Sequence, residues 1–461
     1  MHLARNIGFK PPYYGANFWK DWEKPVQIQQ FDSLGELRWH QDAGVKIHGN
    51  YTRQLPQKSL GFYAKSEYSK SRIDESLFSE KPHITSVKRF LLRNAGNDNL
   101  LAHFRDLLIQ TRMQNTFSDV QSGFPVLAYI NGDYWGIYHL REKIDRFYLE
   151  DNFGVNPDEV NLLEQNGLII SGDRNDFENL LSFVKQNNLQ SNVNYQYITD
   201  HIDLYNWIDH LVTNFYHFNS DWPHHNTKFW SSPGKKWRQI IVDQDVTMGL
   251  HNQNQVNQNP LTHVHNDTMS YLAIIYNKLI DNQSFKREYI NRFADLMNTN
   301  FLSSRVIAKQ NEIAAIIAPE MPDQYFRWKA PLNNGDWQYH LNKQKDFANQ
   351  RPAFQRDDIR TKFGISSNIN ASLNVSNYNH GYIKISTIDI KDGTPGISGN
   401  PYPWTGIYFK GIPLKLKAIA KPGYVFSNWS GASTSTDSEI TITPNGNFSI
   451  TAVFIPVVNE T

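Results

Sequence analysis

The chain has 461 residues, too many for one hydrophobic core, so two domains are expected. Lys+Arg 46 against Asp+Glu 45 leaves a formal charge of +1, which excludes a basic nucleic-acid binder or a polyanionic tail on net charge. With no cysteine, disulfides, thiolate nucleophiles and zinc–thiolate sites are excluded as well. No run approaches the roughly 18 apolar residues that a membrane helix needs. The opening MHLARNIGFK also lacks the apolar core of a secretory signal.

In chain order, strand patterns come first: Val26 to Phe31, Leu37 to Trp39, Gly44 to His48, Ser59 to Ala64 and Val87 to Leu92. Gly96-Asn-Asp98 then precedes a helix predicted from about Asn99 to Asn115, with Leu100, Leu101, Phe104, Leu107 and Leu108 on one face. Phe124 to Ile130 and Trp135 to Arg141 form a hairpin across Asn131-Gly132, a pair that tolerates positive φ. From Ile144 to about Asn219 the pattern is mainly helical. Thr227 to Ser231 and Trp237 to Val242 make a second hairpin around Pro233-Gly234. Residues 267–365 read as helices, with loops at 318–324 and 330–336.

Composition changes near residue 370. SSNINAS, 366–372, reads as a linker. Beyond it, period-two alternation in Gly381 to Ser386 and Ile412 to Ala420, then Gly423 to Trp429, Ile440 to Thr443 and Phe448 to Phe454, predicts an all-β domain over 373–461. The fold class is α+β: a two-part domain over 1–365, strand-rich and then helical, followed by that β domain.

The chemistry concentrates in Asn219-Ser-Asp221-Trp-Pro-His-His-Asn226, the following hairpin, and Val242-Asp243-Gln-Asp245. Asp221 and Asn226 stand five residues apart. In a phosphotransferase catalytic loop the Asp takes the proton of the substrate hydroxyl, and the Asn at this spacing turns back to hold magnesium. A hairpin and a further metal-binding Asp should follow. Asp243 and Asp245 stand 22 and 24 residues after Asp221. In an extended strand their side chains share one face, and two adjacent negative charges call for a cation between them. Mg²⁺ needs only an amide, one or two carboxylates, waters and phosphates. The bland alternative is that Asp221 caps a turn beside Pro223, with Asn226 supporting the loop.

These residues, together with Arg53-Gln-Leu-Pro-Gln-Lys58-Ser59-Leu, Leu91-Leu-Arg93-Asn-Ala-Gly96-Asn-Asp98, Asn131-Gly-Asp-Tyr134-Trp-Gly136-Ile-Tyr138-His-Leu-Arg-Glu142 and Phe347-Ala-Asn-Gln-Arg351-Pro352, resemble the CotH kinase family of spore-coat-type atypical protein kinases. The resemblance covers roughly residues 15 to 365. The tail resembles a bacterial surface repeat, through Gly423, Tyr424, Phe426, Trp429 and Ala452-Val-Phe454. What the resemblance implies is a protein-kinase-like fold, ATP with Mg²⁺, Mn²⁺ or Ca²⁺, and phosphorylation of Ser or Thr on a protein. Asp221 would be the catalytic carboxylate, with Asn226 and Asp245 as metal ligands and Asp243 sharing or orienting. Lys58 would contact the ATP phosphates, with Arg53 nearby. A secreted or cell-surface location follows from the same resemblance.

Each role has a competitor. Lys58 also fits a solvated lysine at a strand end. Glu142 fits either a partner for the phosphate-binding lysine at the nucleotide edge or a carboxylate neutralised by Arg141 and Lys143. Asp98 fits a helix cap better than a ligand. His224 and His225 fit an exposed loop. No G-x-G-x-x-G loop lies in the strand-rich half, so the segment from Gly49 to Gln57 would cover phosphate. Two other functions compete: a small-molecule or sugar kinase on the same metal site, and a non-catalytic surface scaffold or adhesion protein. In the tail, Tyr402, Trp404, Tyr424 and Trp429 are candidates for carbohydrate contact, although the repeat resemblance buries Trp429.

Overall fold

The computed structural model describes residues 12–250, 254–329, 331 and 334–457. The MHLARNIGFK opening lies outside them, and the loop expected at 330–336 lies partly outside. The class is α+β, with a C-terminal all-β region. The chain forms two compact units. One comprises Met1–Asn179, Asn219–Asn252 and Lys309–Gln344; the other comprises Leu180–Phe218, Gln253–Ala308 and Lys345–Thr461.

The first unit is built on a six-stranded antiparallel sheet in the order β1-β2-β3-β4-β6-β5. Its strands are β1 Lys24–Phe31, β2 Leu37–His48, β3 Ser59–Tyr63, β4 Arg89–Arg93, β5 Gly123–Ile130 and β6 Asp133–Glu142. Alternate residues of the central strands, Phe62 and Phe90 among them, bury against Ile73, Phe78, Ile84 and Val87 from the β3–β4 connection. The Phe62 and Phe90 rings stack at 4.8 Å. Asn131 and Gly132 both take positive φ, 53° and 85°, and close the β5–β6 hairpin as expected.

The helix expected from Asn99 is shorter. A 3-10 turn Gly96–Leu100 and a break at His103, φ 78°, precede the helix Arg105–Met113. Asp98 causes the break to hold. Its carboxylate accepts from the backbone N–H of Ala102 at 3.1 Å and of Arg105 at 2.8 Å, a capping role.

A second sheet in this unit has the order β10-β9-β7-β8. It contains β7 Asn161–Glu164, β8 Leu168–Ser171, β9 Thr227–Ser232 and β10 Lys235–Ile241. The stretch read as mainly helical after Ile144 therefore contains a hairpin. Gln165 and Gly167 turn it at φ 51° and 85°, and Leu162 and Leu163 bury completely. Residues 318–324 are likewise not a loop. A 3-10 turn Ala318–Glu320 runs into the helix Met321–Trp328, because Pro319 and Pro322 fall in first turns, where a missing N–H costs nothing.

The second unit contains the helices Leu204–Tyr216 and Gln283–Met297, together with the β region. That region is a pair of four-stranded sheets, ordered β14-β11-β18-β16 and β13-β12-β15-β17. Its strands are β11 Asn368–Val375, β12 Gly381–Ile385, β13 Ile388–Ile390, β14 Trp404–Phe409, β15 Leu414–Ala420, β16 Tyr424–Gly431, β17 Glu439–Ile442 and β18 Phe448–Pro456. The expected linker at 366–372 thus carries most of β11, whose Ile369, Ala371, Leu373 and Val375 alternate into the core. Trp429 is 0% exposed, and its indole donates to Asp437 O at 2.9 Å, so its face is not open to a sugar.

Buried polar groups tie this β region to its helices. Asp295 accepts from Thr387 N at 2.9 Å, Thr387 Oγ1 at 2.6 Å and Tyr408 Oη at 2.8 Å. Arg292 bonds Asp209 at 2.8 Å and Thr387 at 2.7 Å.

Candidate active site

Asp221 sits in the loop that enters β9. Asn219, buried at its start, accepts from Asp221 N at 3.1 Å and donates to Asp243 O at 3.3 Å. Ser220 N donates to Val246 O at 3.2 Å. Two hydrogen bonds therefore fasten the loop to the Val242–Val246 segment. Asn226 adopts φ 56°, a left-handed conformation that Asn tolerates better than most residues. Its Nδ2 turns back and donates to Asp221 Oδ2 at 3.0 Å. The D-x-x-x-x-N spacing is thus a closed loop with its two polar ends in contact. His224 and His225 are exposed, as a solvent-facing loop requires.

Asp243 and Asp245 also converge, but not as neighbours on a strand. β10 ends at Ile241 and Asp243 is left-handed at φ 45°. Gln244 N is held by Asp106 Oδ1 at 2.9 Å, and this bend aims both aspartates at one point. A cation stands there: the Nη2 of Arg93, at the end of β4, donates to Asp243 Oδ1 and, at 3.1 Å, to Asp245 Oδ2. Asp245 is 1% exposed and accepts further from Asn97 N at 2.7 Å. Burial and the Asp243 charge push its carboxyl well above the ordinary range, while Arg93 and the Asn97 amide pull the other way.

The L-L-R-N-A-G-N segment is the cradle. Gly96 lies at φ +64°, and a Cβ on it would fall 2.0 Å from Asp245 Oδ2, so only glycine fits. Among the described residues, no three His, Asp or Glu side chains form a metal cage. Two carboxylates already sharing one cation, with an amide-bearing loop fastened alongside, are nonetheless a donor set suited to Mg²⁺ with phosphates and water.

Lys58 is turned onto its own loop. Its Nζ donates to Arg53 O and, at 2.6 Å, to Leu55 O, and lies 4.0 Å from the Phe18 ring centroid. Burial lowers its ammonium to about 8. Arg53 donates to Gly49 O at 2.6 Å and lies over Trp19.

Glu142 does not pair with Lys58. It accepts from Lys81 Nζ at 2.6 Å, Ser122 N at 2.6 Å and Asn152 Nδ2 at 2.7 Å, a buried node joining three segments. Its basic sequence neighbours give their hydrogen bonds elsewhere, Arg141 to Asp106 at 2.8 Å and Lys143 to Asp145 at 3.2 Å, although Arg141 still feels the Glu142 charge. Local sequence carries no sign of this, because Lys81 lies 61 positions away.

Sequence reasoning missed His48, at the end of β2. Burial, then the charges of Lys143, Arg93, Arg53 and Lys228, hold its imidazole neutral with a pKa of about 3. Three of these four cations are already paired, Lys143 with Asp145, Lys228 with Glu164 and Arg93 with Asp243 and Asp245.

A family model described as CotH kinase protein matches residues 45–355, and one described as Divergent InlB B-repeat domain matches residues 390–457. A search of curated proteins gives no match. One structural neighbour is a chain of the Shewanella oneidensis MR-1 toxin–antitoxin HipA, HipB and operator DNA complex, at 11% identity and TM-score 0.26. That alignment covers 74% of this chain and 66% of the neighbour, just under two thirds of its length, and at that score it carries no argument. The CotH match spans well over half of the 461 residues and contains every candidate residue of the site, so the chain belongs to the CotH kinase protein family.

Proposed function

We propose that this chain transfers the terminal phosphoryl group of ATP to a Ser or Thr hydroxyl of a protein. The observation that carries this reading is the closed Asp221–Asn226 loop fastened to the Arg93-bridged Asp243 and Asp245. Asp221 accepts the hydroxyl proton as the substrate oxygen bonds to the γ-phosphorus and the bond to the ADP oxygen breaks. Asn226 fixes the orientation of that carboxylate by donating to it. Asp245, Asp243 and the Asn226 amide are the groups that would hold Mg²⁺, or Mn²⁺ or Ca²⁺, which when bound neutralises phosphate charge. Arg53 and Lys58 sit on the segment that would cover the phosphates, and Lys58 must leave the Arg53 and Leu55 carbonyls to reach them. Glu142 serves this reading by shaping the fold, not by touching nucleotide.

The functional division is a kinase domain over 1–365 and a surface-repeat domain over 373–461. The second supports an exported or surface location and an interaction role. Transfer of labelled phosphate from ATP to casein and to free sugars, with wild type and Asp221→Ala, tests the reading. The expected result is protein labelling that falls at least about 10³-fold in the variant while its melting temperature holds. Label on sugars alone would shift the acceptor to a small molecule. A variant as fast as wild type would remove Asp221 from the chemistry.

A further inference from the structure

The bridge between Asp243 and Asp245 has a feature that the phosphoryl-transfer reading leaves unused. A single nitrogen of Arg93, Nη2, serves both carboxylates. A guanidinium normally engages carboxylates through two nitrogens in a fork. Here one atom stands between an oxygen of each aspartate, as a monatomic cation would. Arg93 Nε, by contrast, is buried and has no hydrogen-bond partner among the described residues, although the Asp106 carboxylate also acts on the guanidinium. Access is one-sided, since the Asp243 side chain is 35% exposed and Asp245 is closed off.

We propose that Arg93 is a built-in surrogate for the divalent ion: metal enters by exchange with its Nη2, and the displaced guanidinium turns to the phosphates that arrive with the ion. This rests on the phosphoryl-transfer reading for the identity of the phosphates, but the exchange itself concerns metal alone. Without a cation, two carboxylates in a closed setting repel each other. Arg93 keeps the pair assembled, and by the same charge it opposes metal binding until a nucleotide supplies anions to receive it. Metal and nucleotide would then bind cooperatively, because each removes a cost the other would meet alone. Arg93 is on this account a positioning residue.

The experiment is a Mn²⁺ titration of the full chain without nucleotide, following free Mn²⁺ by electron paramagnetic resonance. The proteins are wild type, Arg93→Met, Arg93→Gln and Arg93→Met with Asp245→Asn. Both single variants should bind Mn²⁺ at least tenfold more tightly than wild type, and the double variant should lose that gain. In a parallel titration with ATP, corrected by a protein-free control for the Mn²⁺ that ATP itself holds, Mn²⁺ binding should tighten more for wild type than for either single variant. Single variants that bind Mn²⁺ no more tightly than wild type overturn the inference, as does a gain that survives Asp245→Asn. Should the arginine variants fail to fold, a crystal structure of wild type soaked in Mn²⁺ together with a non-hydrolysable ATP analogue decides: Nη2 off at least one aspartate with Mn²⁺ in its place supports exchange, and Nη2 still on both refutes it. A wild type that transfers phosphate while the variants gain nothing sinks the exchange alone. A wild type that never transfers phosphate sinks the functional reading and leaves the Mn²⁺ comparison standing.

Discussion

Replacing Gly96 by alanine probes the cradle most sharply, because the structure supplies both the clash and its control. A Cβ at Gly96 would lie 2.0 Å from Asp245 Oδ2 and 2.7 Å from Arg93 Nη2. Neither atom can yield cheaply, since Asp245 is fully buried against Asn97 N and Arg93 is tied to two carboxylates. Two costs add. A side chain in the left-handed region costs about 1–2 kcal/mol. Parting the carboxylate from its amide and guanidinium donors costs about 1.5–3 kcal/mol more. Gly132→Ala bears only the first cost, because Gly132 has φ +85° and nothing within 4 Å of a built Cβ. Thermal unfolding of the two variants isolates the contact. At roughly 2–4 °C per kcal/mol for a domain of this size, Gly96→Ala should melt at least about 3 °C below Gly132→Ala. Its Mn²⁺ affinity should fall as well. Equal melting temperatures for the two alanine variants would mean that the Gly96–Asp245 contact leaves no room-dependent cost.

Three further outcomes are expected. His217 is fully buried and held neutral at about 4. Its folded pKa lies below the unfolded value of about 6.5, so the unfolded chain takes up the proton first and stability falls as pH drops between those values. His217→Gln should flatten the stability–pH slope in that window by about 1.4 kcal/mol per pH unit, read from denaturant midpoints at pH 7, 6 and 5; an unchanged slope contradicts this. Asp295→Ala removes the acceptor for Thr387 and Tyr408 and should destabilise the second unit by about 3 kcal/mol, with strands and helices unfolding together by circular dichroism. Separate transitions with the helical one unmoved would count against that coupling. Lys58→Met should raise the KM for ATP about tenfold with little change in melting temperature, and an unaltered KM would take Lys58 out of nucleotide binding.

What the sequence discloses is local. The Asn131-Gly132 turn, the Pro233-Gly234 hairpin and the alternation of the tail strands each depend on residues a few positions apart, and each appears in the structure. The Asp221–Asn226 contact belongs with them, since a short loop and a left-handed Asn suffice to make it. Other features depend on distant partners. The β7–β8 hairpin lies in a helical-looking stretch and is drawn into strand form by pairing of β7 with β9, 64 positions on at Glu164–Lys228. Strand alternation predicts that Asp243 and Asp245 converge. The real cause is a bend held by Asp106, with Arg93 as the cation, 150 positions from Asp243. Glu142 looked available because its neighbours in sequence are basic, whereas its actual donors are Lys81, Ser122 and Asn152. Burial of a charged group among remote partners leaves no periodic mark for a sequence to show.

The central claim is that groups from the Asp221–Asn226 loop and from the Asp243–Asp245 bend serve one nucleotide. Crystals grown with Mn²⁺ and a non-hydrolysable ATP analogue, measured at the manganese edge, test it most directly. The expected result is an anomalous peak ligated by Asp245 and Asn226, with the γ-phosphate facing Asp221. Nucleotide bound away from both segments, or manganese on neither, would contradict it.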